Sequence, residues 1–366
     1  MNGANNTHEK SFRPEEGLRG LDRNGALLAL RVRSFVKEEL GVDWQGKRLL
    51  LAFSGGLDST ALLCLLLALR PLERFHVFAA HLDHGLRPES GQDAAHVRRL
   101  CAAWGVPLHE HKENIRIRAK QEGTGEEEAG RTARRMFLRE TAKAVQADWV
   151  LLAHHADDLA EDILMRLIRG TGWPALGGMR GCDPTSALPL LRPLLMEEKS
   201  TLRSLLERHG IPWREDATNS ERISRRNRIR LDVMPLLKAE NPSFLDAARR
   251  LWRSARQDEL FWLAHLEELF EKVEPADGDG ILLRREFLQN LPESVRLRWY
   301  LHVLDSLRNS QNVGSRGGQN RHSVLLALDR ALREKRHDRR FQFGGGLEAE
   351  LFPGGIVFRR VRPDRT

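Results

Sequence analysis

Apolar residues in the first 215 positions alternate between short unbroken runs and longer stretches where they recur every three or four residues, the rhythm of strand followed by helix. The run Leu49-Leu50-Leu51-Ala52-Phe53 has strand length and passes into a helix whose residues 61–69 are almost wholly apolar. A strand over 75–82 then precedes a helix over 92–104, and a short strand near 107–111 precedes a charged loop over 112–125. A helix over 127–145 leads into a strand at 149–153, and that into a helix over 156–168. This βαβ order predicts an α/β fold with a parallel, Rossmann-like sheet and helices on both faces, whose ligands lie beyond the carboxyl ends of the strands.

Past Pro235 the pattern changes to long Arg- and Leu-rich helical stretches over 244–272, 295–307 and 324–335. Two short strands, 347–352 and 356–360, close the chain around a Pro353-Gly354-Gly355 turn. The organisation expected is a flexible polar extension over 1–22, an α/β domain over 23–240 and a mainly helical region with a small β element over 241–366, the boundary falling near Glu240 to Pro242. A Gly/Asn/Ser-rich loop is expected over 311–320.

Composition narrows the partners. A chain of 366 residues with a formal charge of +8 and pI near 9.8 favours a polyanion, and arginine carries much of the excess. Nucleic acid is the leading candidate and an anionic membrane surface the second. The apolar run 61–69 is far short of the roughly 20 residues that cross a bilayer, and residues 1–20 have no apolar core, so neither a span nor a leader is expected. Three cysteines, Cys64, Cys101 and Cys182, form no Cys-x-x-Cys pair, which argues against a disulfide framework or thiolate metal site and suits a reducing cytoplasm.

Three motifs fall at strand ends. After the first strand comes Ser54-Gly55-Gly56-Leu57-Asp58-Ser59-Thr60, where glycines let an anion approach the backbone, hydroxyls add donors, and the following helix points its N–H groups at the ligand. No lysine lies between Lys47 and Lys112, so this is not a Walker loop. The second strand ends in His81-Leu82-Asp83-His84-Gly85-Leu86-Arg87, beside the same ligand position. The fourth leads into His154-His155-Ala156-Asp157-Asp158-Leu159-Ala160-Glu161, where helical spacing puts His154, Asp158 and Glu161 within about 60° of one another. That face reads as a dipole-compensating acidic start, a His/carboxylate metal site or a pocket for a cationic substrate.

The first loop resembles that of N-type ATP pyrophosphatases, and the three motifs together resemble the tRNA(Ile)-lysidine synthetase family. Arg169-Gly170-Thr171-Gly172, Leu191-Arg192-Pro193-Leu194-Leu195, Glu215-Asp216-Ala217-Thr218-Asn219, Arg226-Asn227-Arg228-Ile229-Arg230 and Met234-Pro235 extend the likeness. The resemblance implies a PP-loop ATP pyrophosphatase domain followed by a helical tRNA-binding region. It also implies a ligase that adenylates the wobble cytidine of a tRNA(Ile) with a CAU anticodon and joins free L-lysine to C2. ATP and Mg²⁺ are the implied cofactors, no membrane is involved, and a homodimer is compatible. Ser54, Gly55, Gly56, Leu57, Asp58 and Ser59, with His81 and Asp83, would hold ATP, Asp58 also meeting Mg²⁺. His154, Asp158 and Glu161 would form the lysine and catalytic face.

The family's Glu/Ala-Arg/Arg helix maps onto Glu127, Gly130, Arg131 and Arg134, which makes Arg131 and Arg134 cations for the phosphates or transition state. Gly130 replaces the family's alanine and Arg135 its aromatic residue. Arg222 to Arg230, with Arg225, Arg226, Arg228 and Arg230, reads as a tRNA-backbone segment or as a solvated face. The clusters Arg249, Arg250, Arg253, Arg256 and Arg330, Arg333, Lys335, Arg336, Arg339, Arg340 are further RNA-contact candidates. A tRNA 2-thiolating enzyme shares the ATP loop, but would be expected to carry paired reactive cysteines.

Overall fold

A computed structural model of the chain describes residues 12–85, 90–184, 188–215, 224–277, 279–309 and 321–361. Leu86 and Arg87 of the second motif, the residues 216–219, Arg222, and the Gly/Asn/Ser-rich stretch 311–320 lie outside the described residues.

The chain divides into two compact units, the first ending at Arg256. Its sheet has six strands: β1 (Arg48–Ala52), β2 (His76–Asp83), β3 (Leu108–Lys112), β4 (Trp149–Leu151), β5 (Cys182–Asp183) and β6 (Leu190–Leu191), in the order β3-β2-β1-β4-β6-β5. All neighbours pair in parallel except β5 and β6. Side chains alternate along β1, so Leu49 and Leu51 enter the main core while Leu50 joins a smaller one with Leu138 and Val150 on the opposite face. Burial on both faces explains why this strand reads as an unbroken apolar run rather than an alternating one.

Around the sheet lie α1 (Arg23–Ser34), α2 (Leu57–Glu73), α3 (Ser90–Ala103), α4 (Ile115–Glu122), α5 (Glu126–Ala144), α6 (Ala156–Ile168) and α7 (Lys199–Arg208). Every residue of α2 from Ala61 to Leu69 is buried, the helix being packed against α1, α7 and a 3-10 segment at Pro14–Gly20. That segment corrects the expected flexible extension over its described part. Phe12 is buried against Trp104 with ring centroids 5.7 Å apart, and Leu21 is buried too, because α2 has apolar surface on all sides to cover. The expected charged loop contains α4, capped by Asn114 and closed by Gly123 in the left-handed region.

Three further helices follow: α8 (Arg225–Arg228), α9 (Met234–Glu240) and α10 (Phe244–Phe270), with a π-helical turn at Ile229–Val233 between the first two. Leu245, Ala248 and Trp252 of α10 are buried in the first unit's core, which carries the division past Glu240 to Pro242 into the helix itself.

The second unit has a five-stranded antiparallel sheet, ordered β7-β8-β11-β10-β9, from β7 (Glu274–Ala276), β8 (Gly280–Arg284), β9 (Arg339–Phe343), β10 (Leu347–Phe352) and β11 (Gly355–Arg360). Its helices are α11 (Arg285–Gln289), α12 (Glu293–Asn309) and α13 (Arg321–Arg333). The sheet is larger than the two strands expected at the C-terminus. Trp299, Tyr300, Leu304, Leu328, Leu347 and Phe358 fill its core, and the buried Asp329 accepts from Arg296 Nε at 2.6 Å and Tyr300 Oη at 3.3 Å. Among the described residues, no helix is long and apolar enough to cross a membrane.

Candidate active site

The loop after β1 is built largely from its own atoms. Ser54 Oγ lies 3.1 Å from Ser59 Oγ and accepts from Gly56 N at 3.2 Å, while Ser59 Oγ donates to Gly56 O at 3.1 Å. Gly55 has φ +75°, and a Cβ there would stand 2.8 Å from Cγ2 of Val97, so both conformation and space demand glycine. α2 then starts at Gly56 without a side-chain cap, leaving its first-turn N–H groups and positive end for an anion. One distant strap holds the loop: Arg214 N donates to Gly55 O at 2.9 Å.

Asp58 sits in the first turn of α2. Its Oδ1 is shielded from solvent and has no hydrogen-bond partner among the described residues. Two cations stand near, His155 Nε2 at 3.5 Å and Lys199 Nζ at 3.9 Å. A carboxylate oxygen at the mouth of a phosphate-binding loop, held by ion pairs and by no close hydrogen bond, is a hard oxygen ligand of the kind a divalent ion shared with phosphates takes.

At the end of β2, His81 is buried with Nδ1 2.9 Å from Phe53 O, tying this strand to the start of the loop. Asp83 Oδ1 accepts from Gly85 N at 2.9 Å and shapes the turn that carries His84. Arg134 of α5 reaches the same strand end, its guanidinium 3.2 Å from His84 Nε2, and burial together with Arg134 holds the His84 imidazole below its usual pKa. Arg131 is exposed on the same helix.

The third motif departs from the helical-wheel expectation at its first two residues. His154 precedes α6, and its Nδ1 accepts from Arg192 Nε at 3.1 Å; burial pushes its pKa down to about 4, so the ring is neutral near pH 7. His155 is the N-cap, with extended φ −124° and ψ −177°, and turns back toward the loop. Burial alone would lower its pKa, but Asp158, Asp157 and Asp58 outweigh that and raise it to about 10. His155 thus bridges the two motifs as an imidazolium, 3.5 Å from both Asp58 and Asp158 and 3.4 Å from Asp157.

Asp158 and Glu161 do share a face of α6, yet that face is covered. Glu161 Oε1 accepts from Arg230 Nε at 2.6 Å, and Oε2 from Arg226 Nε at 2.8 Å and Arg230 at 2.9 Å. Asp158 Oδ1 takes Arg226 at 2.8 Å and Arg230 at 3.0 Å, and its Oδ2 accepts from His155 N at 3.1 Å. Side-chain exposure is only 11% for Asp158 and 2% for Glu161. Two corrections follow. The carboxylates are not open to an incoming amine, and Arg226 and Arg230 turn inward to them instead of running along a nucleic-acid backbone, because two buried acids require partners. Arg225 and Arg228 remain exposed on the other side of the same helix.

The sequence held a signal for this division. At about 100° per residue, Arg226 and Arg230 fall about 40° apart, whereas Arg225 and Arg228 fall on the far side. Lys199 and Lys238, which pairs with Asp157 at 2.7 Å, carry no motif and were missed. His155 and Asp157 were missed because wheel geometry does not apply at a cap. Of the later basic clusters, Arg253 is held by Glu39 at 2.8 Å and Arg249 by Asp246 and Glu198. Arg333 meets Asp329 at 3.2 Å, and Arg340 meets Glu350 at 3.4 Å.

Comparison with known proteins places the chain in a family. Residues 28–237 match the PP-loop domain family. The chain is 43% identical over 323 residues to the tRNA(Ile)-lysidine synthase of Nitratidesulfovibrio vulgaris, covering 84% of this chain and 90% of that protein. It is 37% identical over 207 residues to the tRNA(Ile)-lysidine synthase of Thermotoga maritima, but spans only 49% of its length. Among solved structures, the U34-tRNA thiolase NcsA of Methanococcus maripaludis superposes with a TM-score of 0.51 at 16% identity, covering 63% of this chain and 77% of that one, a likeness of fold.

Proposed function

The chain belongs to the tRNA(Ile)-lysidine synthases of the PP-loop family, and from that premise we propose that it joins free L-lysine to C2 of the wobble cytidine in a tRNA(Ile) with a CAU anticodon. ATP transfers its adenylyl group to the cytidine O2 and pyrophosphate leaves. The lysine ε-amine then attacks C2, the C2–O bond breaks, AMP departs, and the amine loses its protons to solvent or a base. The observation that carries this reading is the 43% identity over 84% of the chain to a tRNA(Ile)-lysidine synthase, and the glycine-requiring loop before an uncapped helix, with Asp58 in its first turn, supports the nucleotide part of it.

In this reading Ser54, Gly55, Gly56 and Ser59 cradle the phosphates, and Lys199 and Arg134 add positive charge on two sides as negative charge grows during transfer. Asp58 would hold Mg²⁺, which when bound neutralises the phosphates and the departing pyrophosphate. His155 positions Asp58, and Arg192 positions His154. Arg225 and Arg228, exposed and outward, serve the tRNA phosphates. The reaction belongs in a reducing cytoplasm, in keeping with three free cysteines. A thiolation chemistry is disfavoured: Cys64 and Cys101 are buried, and burial pushes both thiols up, Cys101 to about 12, far from the thiolate that attacks sulfur.

Pyrophosphate release measured with and without each substrate tests the proposal. It should require ATP, CAU-anticodon tRNA and free lysine together for sustained turnover, with radiolabelled lysine entering the tRNA. Release that proceeds without tRNA, or tRNA that gains no lysine, would overturn it.

A further inference from the structure

The covered carboxylates bear on how lysine sits. We infer that Arg226 and Arg230 bind the α-carboxylate of the incoming amino acid, with Asp158 and Glu161 as positioning residues that hold the two guanidiniums, so that the ε-amine is left unpaired for attack. This rests on the proposed ligation of lysine and specifies which end of the amino acid this site holds.

Four observations lead there. First, Asp158 and Glu161 are already engaged: three of their oxygens accept from guanidinium N–H groups and the fourth from His155 N, so an ammonium arriving at this face would have to compete with cations already in place. Second, Arg226 and Arg230 each meet both acids, so the two guanidiniums stand side by side on one face, as a carboxylate bound by two forks requires.

Third, the acids are 11% and 2% exposed, but the Arg226 and Arg230 side chains are 36% and 26% exposed, so solvent reaches the cations and not their partners. Each guanidinium has five N–H donors in a planar fork, and each here bonds through Nε and one terminal nitrogen. The other terminal nitrogen of each makes no hydrogen bond among the described residues, leaving donors suited to a carboxylate. Fourth, chemistry favours this orientation. An ε-amine held in a salt bridge is protonated and cannot attack, whereas anchoring the α-carboxylate fixes the substrate without quenching its nucleophile.

The test compares L-lysine with cadaverine, which keeps an attacking amine on the same carbon chain and lacks only the carboxylate, in both tRNA modification and calorimetric binding. For the parent protein, cadaverine should bind and react at least about tenfold more weakly than lysine. In Arg226→Lys, which keeps a cation against Glu161 and so spares the fold, affinity for lysine should fall while that for cadaverine stays, moving their ratio toward one. Equal use of the two amines by the parent protein overturns the inference and leaves the ligase reading intact. An Arg226→Lys defect appearing in the KM for ATP or tRNA, with the lysine-to-cadaverine ratio unchanged, would also overturn it and assign the guanidinium to a phosphate. Failure to incorporate lysine at all overturns the ligase reading and this inference with it.

Discussion

The loop at Ser54 to Thr60 and the carboxylate face of α6 stand side by side, joined through His155, yet they are made in opposite ways. The loop's side-chain hydrogen bonds close within six residues of sequence, and its distant ties are Arg214 N on Gly55 and the ion pairs of Asp58 with His155 and Lys199. The face is completed by guanidiniums 65 to 72 residues away. A locally closed element keeps its shape whatever surrounds it, so its chemistry can be read from a hexapeptide. An element closed from afar presents one set of groups in the sequence and another in the fold: Asp158 and Glu161 promise an acidic surface, and the folded chain delivers a cationic one.

The sharpest way to break this contrast is at Asp58, the loop's carboxylate. Asp58→Ala should reduce pyrophosphate release by about two orders of magnitude or more while leaving tRNA affinity near the parent's. Turnover at the parent rate would show that the loop's local order serves no chemistry. Stability should respond in the reverse sense. Glu161→Gln strips two partly buried arginines of a shared carboxylate and should cost about 2–3 kcal/mol in denaturant unfolding, whereas Ser59→Ala should cost under about 1 kcal/mol. Similar values for the two would erase the distinction between a face held by long-range pairing and a loop held by itself.

The bridge between the regions can be tested by pH. His155 has a folded pKa of about 10 against an ordinary 6.5, so the stability it contributes is complete below about pH 6.5 and is lost as pH rises toward about 10. The groups facing it are Asp58, Asp157 and Asp158, themselves in contact with Lys199, Lys238, Arg226 and Arg230. Melting temperature should therefore decline across that interval, and the decline should flatten in His155→Gln. An unaltered slope in the variant would place the titration elsewhere. The smallest effect is expected at the outward arginines: replacing Arg225 and Arg228 with glutamine should weaken tRNA binding and reduce its log–log salt slope by about 0.7–0.9 per lost contact. The same change at Arg226 and Arg230 should leave the salt slope near the parent's and show instead as lost stability and weaker lysine binding.

Much of the first unit was legible in the chain because its signals are local. The α6 boundaries are those expected from the motif, and the run at β1 and the apolar helix after it are found in place, since central elements must be apolar on every side. α4 escaped because Ile115 and Ile117 alternate like a strand and only Ile115 and Ala119 are buried, although Asn114 and Gly123 marked its ends. β9 escaped because Arg339, Arg340 and Gln342 dilute its pattern. Two of its five residues, Phe341 and Phe343, are apolar, and it is recognisable chiefly by pairing with β10. In the site, the loop residues were readable one by one. The direction of Arg226 and Arg230 was not, because it is settled by which buried acids the fold places opposite them.

The four-way lattice of Asp158, Glu161, Arg226 and Arg230 also limits how the protein can drift over generations. Each acid meets both arginines and each arginine both acids, so losing any one member leaves two others with one counter-charge in place of two, and each single step passes through a less stable ancestor. These four positions should be inherited as a block, exchanged together or retained together, and a lineage that came to charge its tRNA with a different amine would be expected to alter the surrounding walls long before it altered this quartet.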